Sequence, residues 1–471
     1  MKASILHDRV FWKDTMRISV PVVIQNLLTN SFSLIDTLMV SRLGEDVLSA
    51  TGMATQWSTV LLWMMIGVGA ALSVFVAQYW GVGDRGGIRR VFGMSLFGGI
   101  LCTLVFLLPA ALAPSFVVRL FNKDAGIVAL GTRYLSVACW SYPAIMLQLL
   151  LSSLLRSTEE VRVPMYASSI SAVLNVVLNY CLIFGKLGFP ALDVRGAAIA
   201  TVISSWCAPL IMLAAAVKKG GILHAPLRSM FAFTRAQVGE FLRRAAPVMA
   251  NNAGWSFGMT VLTMIYSNLG SDYYAAVTIQ KTLGDFIFAC YLGFGNASIV
   301  LVGRDVGAGQ IAQAKRNALR YTLLVMGTAL LVGLGMAIFR RPLITLFNLG
   351  GDLSETAYQT ALVIVAFYGI AQPIRSIAYI QIDGVFRSGG DTVAGAILDT
   401  ASLWVCSVPV ALLAAHVWHL PFVWVFILSV AAEDIPKGIA CFVHFFSEKW
   451  LKPVTPEGIA GLEAYRAAKN K

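Results

Sequence analysis

One carboxylate stands inside the first long apolar run of this chain. Asp36 lies in Pro21–Gln56, a stretch of membrane-spanning length that breaks at Arg42-Leu43-Gly44. An uncompensated carboxylate in hydrocarbon costs roughly 2.5–3.5 kcal/mol on insertion scales, so it marks a function by default. Further on, Asn175 and Asn179 are spaced i, i+4 and share one helical face, and Thr201 follows in VRGAAIAT. A carboxylate, two amides and a hydroxyl are hard oxygen-bearing groups. They could bind a proton at Asp36, or Na⁺ through oxygen ligands; Na⁺ at Asp36 is the only metal site expected. The alternative is that the amides and the hydroxyl only tie helices together.

Other charges fall in later apolar runs. Lys281 and Asp285 are spaced i, i+4 and could neutralise one another, or take part in a C-lobe ion or substrate site. Arg375, Asp399 and Glu433 are expected deep in the membrane, as a buried ion network or as a second ion or substrate site. Asp383, Asp434 and Lys437 are placed nearer an aqueous end.

These residues need apolar helices to carry them. The chain has 471 residues, 58% hydrophobic and 13% charged, with mean hydropathy +0.74. A soluble domain is nearer 45–50% apolar and 25% charged. The apolar runs are continuous, which favours transmembrane helices over an alternating β-barrel. Twelve spans are expected, near 17–40, 48–77, 92–114, 131–155, 163–184, 195–217, 245–268, 275–302, 319–339, 358–386, 394–415 and 421–446. The first is read as a retained helix, being too long for a signal-peptide core and without a small-residue cleavage site.

The spans form two copies of one unit. Pro21–Arg90 returns without gaps as Pro247–Arg316, with Asn26, Gly44, Gly67, Gly69 and Gly83 reappearing as Asn252, Gly270, Gly293, Gly295 and Gly309. Asp36 does not return; its counterpart is Leu262. The expected organisation is an N-terminal lobe at 1–217, a linker at 218–244, a C-terminal lobe at 245–446 and a tail at 447–471. Six spans per copy give both copies the same orientation, as parallel repeats in transporters have. The cleft between the halves would then be the substrate path. Placing the N-terminus inside puts most arginines and lysines on the cytoplasmic side, so both termini are expected there. The tail is expected to be partly helical, with no chemistry of its own.

The net charge of +12 is accounted for by cytoplasmic loops, not by nucleic acid. The seven cysteines lie in apolar segments without a CxxC pair and are read as packing residues. His416 and His419 are close but have no further ligand pattern. No GK[ST] loop follows Gly67-Val68-Gly69, so no bound nucleotide is expected. An enzyme would need a convergent His/Asp/Ser or metal set, and none is visible. A channel would not call for two six-helix copies with asymmetric acids.

With these motifs on the page the chain resembles the MATE (multidrug and toxic compound extrusion) family. The resemblance rests on Pro21, Asp36-Thr37 and Val40–Gly44, GVGDRGGIRR at Gly81–Arg90, Leu155-Arg156-Ser157, Asn175 and Asn179 before Ile183-Phe184-Gly185, Val194–Thr201, and Gly384–Thr392. It covers nearly the whole chain. It implies an all-α membrane protein of twelve helices in two lobes. It also implies export of organic cations and other amphiphiles in exchange for H⁺ or Na⁺, with no bound cofactor. The matching residues of the family's N-lobe cation site are Asp36, Asn175 and Thr201. Asn179 departs from members with Asp there. The seventh span reads NNAGWSFGM, without the acid some members carry, so Asp383, Asp399 or Glu433 would have to replace it. The expectation is a monomeric antiporter of the plasma membrane, its partners the lipid bilayer and a small organic substrate. The rival is a flippase for lipid-linked precursors, which would favour a cleft rich in arginine or lysine.

Overall fold

Twelve long helical stretches account for most of the chain in a computed structural model, which describes residues 8–218, 220–347 and 353–469. They are α1 (Arg9–Ser41), α2 (Glu45–Gly81), α3 (Arg85–Leu112), α4 (Ala125–Ser157), α5 (Arg162–Phe184), α6 (Asp193–Val217), α7 (Arg235–Asn268), α8 (Ser271–Gly307), α9 (Ile311–Ile338), α10 (Glu355–Gly389), α11 (Thr392–Val417) and α12 (Phe422–Phe446). A shorter α13 (Pro456–Lys469) follows. Ten of the twelve are long and apolar enough to cross a membrane, counted among the described residues. The other two, α7 and α12, are diluted by polar side chains. In α12 these are Glu433, Asp434 and Lys437. Helices satisfy their own backbone hydrogen bonds, which is why they suit a medium without water.

The chain divides into two compact units. One is Val20–Met249; the other joins the described residues up to Ser19 to those from Ala250 onward. The boundaries thus fall inside α1 and α7. The first turns of α1 pack within the C-terminal unit, where Thr15 and Tyr321 share a hydrogen bond of 2.8 Å and Arg320 donates to Asp8 at 2.8 Å. The first turns of α7 pack within the N-terminal unit, where Phe241 meets Phe75 and Arg244 lies over the Phe75 ring. These contacts explain why α1 and α7 start well before the apolar runs at 17 and 245.

In the N-terminal unit α5 lies along α6, and α2 packs on α3 and α4. In the C-terminal unit α9 lies along α10, with α8 against both. The backbone carries the repeat too: Gly83 and its counterpart Gly309 both turn at φ +73°, a conformation that favours glycine. The glycines within α2 and α8 serve close packing. A Cβ on Gly67 would meet Met249 at 2.6 Å, and one on Gly295 would meet the Tyr379 hydroxyl at 2.9 Å.

The segment before α7 is packed, not loose. Ile222, Leu223 and Met230 are buried, and Arg89 donates to the carbonyls of Ile222 (3.0 Å) and His224 (3.2 Å). Lys219, counted above in the linker, lies outside the described residues. The last spans are less regular than the first. α10 widens to a π-helix at Ile380–Phe386, and α11 does so at Ser402–Ser407 and Leu413–Val417.

Candidate functional site

In the N-terminal unit, α1 brings Asp36 against α5. Asn179, one turn after Asn175, is fully buried. Its Nδ2 donates to Asp36 Oδ1 and, at 3.2 Å, to Asn175 Oδ1. The Asn175 Nδ2 donates in turn to Ser204 Oγ on α6 at 3.1 Å. Ser204 Oγ donates to the Thr201 carbonyl at 3.1 Å, and Thr201 Oγ1 to the Ala197 carbonyl at 2.9 Å. Asp36, Asn179, Asn175 and Ser204 are therefore one connected polar path across α1, α5 and α6, which Thr201 joins by its main-chain carbonyl while its hydroxyl donates to Ala197.

Two features give this path a chemistry. Asn179 spends both amide hydrogens on acceptors, and its buried Oδ1 has no hydrogen-bond partner. No lysine or arginine pairs with Asp36 among the described residues. A carboxylate beside an unsatisfied amide oxygen is a place where a positive charge is missing. A proton on Asp36, or a small hard cation held by oxygens, would supply it.

Sequence reasoning missed two members. Ser204 links Asn175 to Thr201, and its only signal was its place one turn after Thr201. Tyr134 on α4 lies close to Thr201 and Thr55, and near enough to Asp36 to feel its charge. A lone tyrosine in an apolar run gave no such indication.

The C-terminal unit holds a second polar cluster. Lys437 Nζ donates to Glu433 Oε1 at 2.8 Å and to Asp399 Oδ1 at 3.1 Å. Asn251 Nδ2 donates to Asp399 Oδ2 at 3.1 Å and accepts from Thr400 at 2.8 Å. Arg375 pairs with Asp434 at 3.4 Å and lies over the Tyr368 ring. Asp399 and Glu433 thus share Lys437, and Arg375 lies in the same cluster through Asp434. Two placements need correction. Asp434 and Lys437, expected near water, are 2% and 6% exposed, because α10 and α11 pack over them. Lys281 and Asp285 do not join the cluster and make no ion pair with each other; both are exposed on α8. Asp383 pairs instead with Arg387, one turn along α10.

Comparisons with known proteins bear on the family and the fold. The family model MatE matches residues 21–181 and 247–413. The chain is similar to the probable multidrug resistance protein NorM of Thermotoga maritima, 25% identical over 93% of each chain. It is likewise 25% identical to a FAD transporter of Shewanella oneidensis, over 93% of this chain and 95% of that one. In fold it resembles a mutant of the Vibrio cholerae MATE transporter VcmN, with TM-score 0.83, 19% identity, and 94% and 98% of the two chains covered.

Proposed function

The chain belongs to the MATE family of multidrug efflux transporters, and from that premise we propose that it is a secondary antiporter exporting organic cations or amphiphilic drugs against an inward flow of H⁺ or Na⁺. The family comprises transporters, not enzymes. The reading places the protein in the plasma membrane with both termini in the cytoplasm, as a monomer without a bound cofactor.

The observation that carries the reading is Asp36: a carboxylate without a cationic partner, hydrogen-bonded to an amide whose own oxygen is unsatisfied. In this reading an ion from outside binds at Asp36, with Asn179 Oδ1 as a further oxygen ligand when the ion is Na⁺. Binding cancels the charge, weakens the pull on Asn179 and frees α1 to repack against α5. The ion stabilises one arrangement only by binding it better than the other. One charge moved down 100 mV supplies about 2.3 kcal/mol, enough to shift such an equilibrium strongly.

The test is efflux of a fluorescent organic cation from energised vesicles, with pH and Na⁺ gradients imposed separately. The Shewanella relative's name adds a flavin dinucleotide to the amphiphiles worth testing. Export driven by one gradient and lost in Asp36→Asn supports antiport and names the ion. Export indifferent to both gradients would overturn it and favour the flippase.

A further inference from the structure

Beyond transport, the tail of the chain builds a pocket of its own. Residues after α12 fold back over the end of the C-terminal unit. Trp450 is fully buried, with its ring and carbonyl against Gly389. The Lys452 amide donates to the Gly389 carbonyl at 2.8 Å, and Thr455 Oγ1 donates to the Gly307 carbonyl at 2.6 Å. This return lays α13 beside the first turns of α11. Between them is a cavity of about 630 Å³.

Its walls are of two kinds. Ile397, Ile459 and Leu462 give it an apolar floor, and Lys449, Lys452 and Arg466 a basic rim. Ile397 is 61% exposed and is in the second turn of a membrane span, so the floor runs onto a lipid-facing flank. The rim stands at the border where that span leaves the membrane. Two acids also line the cavity, Asp391 and Glu463. Asp391 is buried and already answered by Lys452 (2.8 Å) and His444 (3.0 Å), which leaves Glu463 as the one acid against the basic rim. Lys449 and Arg466 are exposed and pair with no acid among the described residues.

The geometry points to a binding site for one anionic phospholipid, its phosphate held by Lys449 and Arg466 and its acyl chains lying along Ile397. Charge complementarity selects an anionic headgroup over a zwitterionic one, because basic pockets at membrane borders attract anionic lipid. The apolar floor selects a lipid over free phosphate, which gains nothing from burying hydrocarbon. The cavity has the volume of ordinary small-ligand pockets, roughly 300–1,000 Å³.

The test uses the full chain in dodecyl maltoside micelles, with bound lipid counted by native mass spectrometry. Dioleoyl phosphatidylglycerol is titrated against dioleoyl phosphatidylcholine. The expected result is a preference for phosphatidylglycerol that falls about tenfold or more in Lys449→Gln/Arg466→Gln. The charge-matched control, Lys13→Gln/Arg85→Gln, keeps the preference. Should the double variant fold poorly, Lys449→Gln alone reads the same loss at about fivefold. Equal binding of the two lipids, an unaffected variant, or equal loss in the control would overturn the assignment. So would full competition by soluble glycerol 3-phosphate, which would make the pocket an anion site rather than a lipid site.

Discussion

Asn179 donates to Asp36 with one amide hydrogen and to Asn175 with the other, which fixes the direction of its amide. A carboxylate and a carbonyl can only accept, so both amide hydrogens are committed and the buried Asn179 oxygen is left without a partner. The same contact therefore anchors α1 to α5 and leaves an acceptor open. Changing the charge of Asp36 changes what holds α1.

Asp36→Asn is expected to remove coupling while keeping the fold. An asparagine can still accept from Asn179, so the tie between α1 and α5 survives without the charge. For an uncharged substrate, a single ion moved in across 100 mV can sustain a gradient of about 50-fold. In the variant that gradient should collapse toward unity, while the melting temperature in detergent stays the same or rises. Retained uphill export at the wild-type level would remove Asp36 from the mechanism.

The C-terminal cluster makes a different prediction. Lys437 answers Glu433 and Asp399 at once and is itself buried. Lys437→Met leaves two acids without their cation, and breaking a buried pair from one side costs about 3–5 kcal/mol. Adding Glu433→Gln and Asp399→Asn should recover much of that loss, since neutral partners need no counter-charge. Thermal unfolding of the single and triple variants measures both effects. If the triple variant is stable but transports poorly, the cluster serves transport as well as structure.

Much of this arrangement was legible in the residues. The apolar runs and the repeat from Pro21 to Arg90 gave the helices and the two copies, because hydrocarbon leaves helices few alternatives. Asp36, Asn175, Asn179 and Thr201 stood out because polar groups in such runs are costly. Other features were not legible, for identifiable reasons. Ser204 and Tyr134 are of types common in ordinary helix packing, and only the fold shows which groups they face. The burial of Lys437 depends on α10 and α11 covering it, a tertiary fact. The early starts of α1 and α7 follow from Tyr321 and Phe75, residues far along the chain that no local pattern connects to them.

Gly93 tests whether the segment before α7 is held by packing. The Met230 carbonyl lies so close to Gly93 that a Cβ there would overlap it. Gly93→Val should therefore push Met230 away, at a cost of about 1–3 kcal/mol for overpacking. The segment would then lose its grip on α3, and trypsin cleavage at Arg228 should speed up. Gly98→Val is the control, because a Cβ at Gly98 meets nothing within 4 Å. Equal cleavage rates in both variants would count against docking by Met230.

The attachment of α13 should depend on pH. Glu448 accepts from Lys315 and, at 2.9 Å, from Lys469, while Lys315 also donates to Tyr465 at 2.8 Å. Burial opposes ionisation of Glu448, but the two ammonium groups outweigh it and hold its carboxyl below the ordinary value of 4.5. Asp391, between α10 and α11, behaves alike: burial raises it, and His444 and Lys452 pull it below 3.8. A carboxylate lowered in the folded state stabilises the fold above its ordinary value, and that contribution is lost as pH falls through the lowered one. The tail should thus stay docked from neutral pH down to about 4.5 and detach below it. Hydrogen exchange of Pro456–Lys469 amides, corrected for intrinsic rates, measures this between pH 7 and pH 3. Glu448→Gln should show weaker protection already at pH 7 and a smaller change on acidification. Protection that is the same at both ends of the range would mean that Trp450 and the backbone contacts hold the tail without the ion pairs.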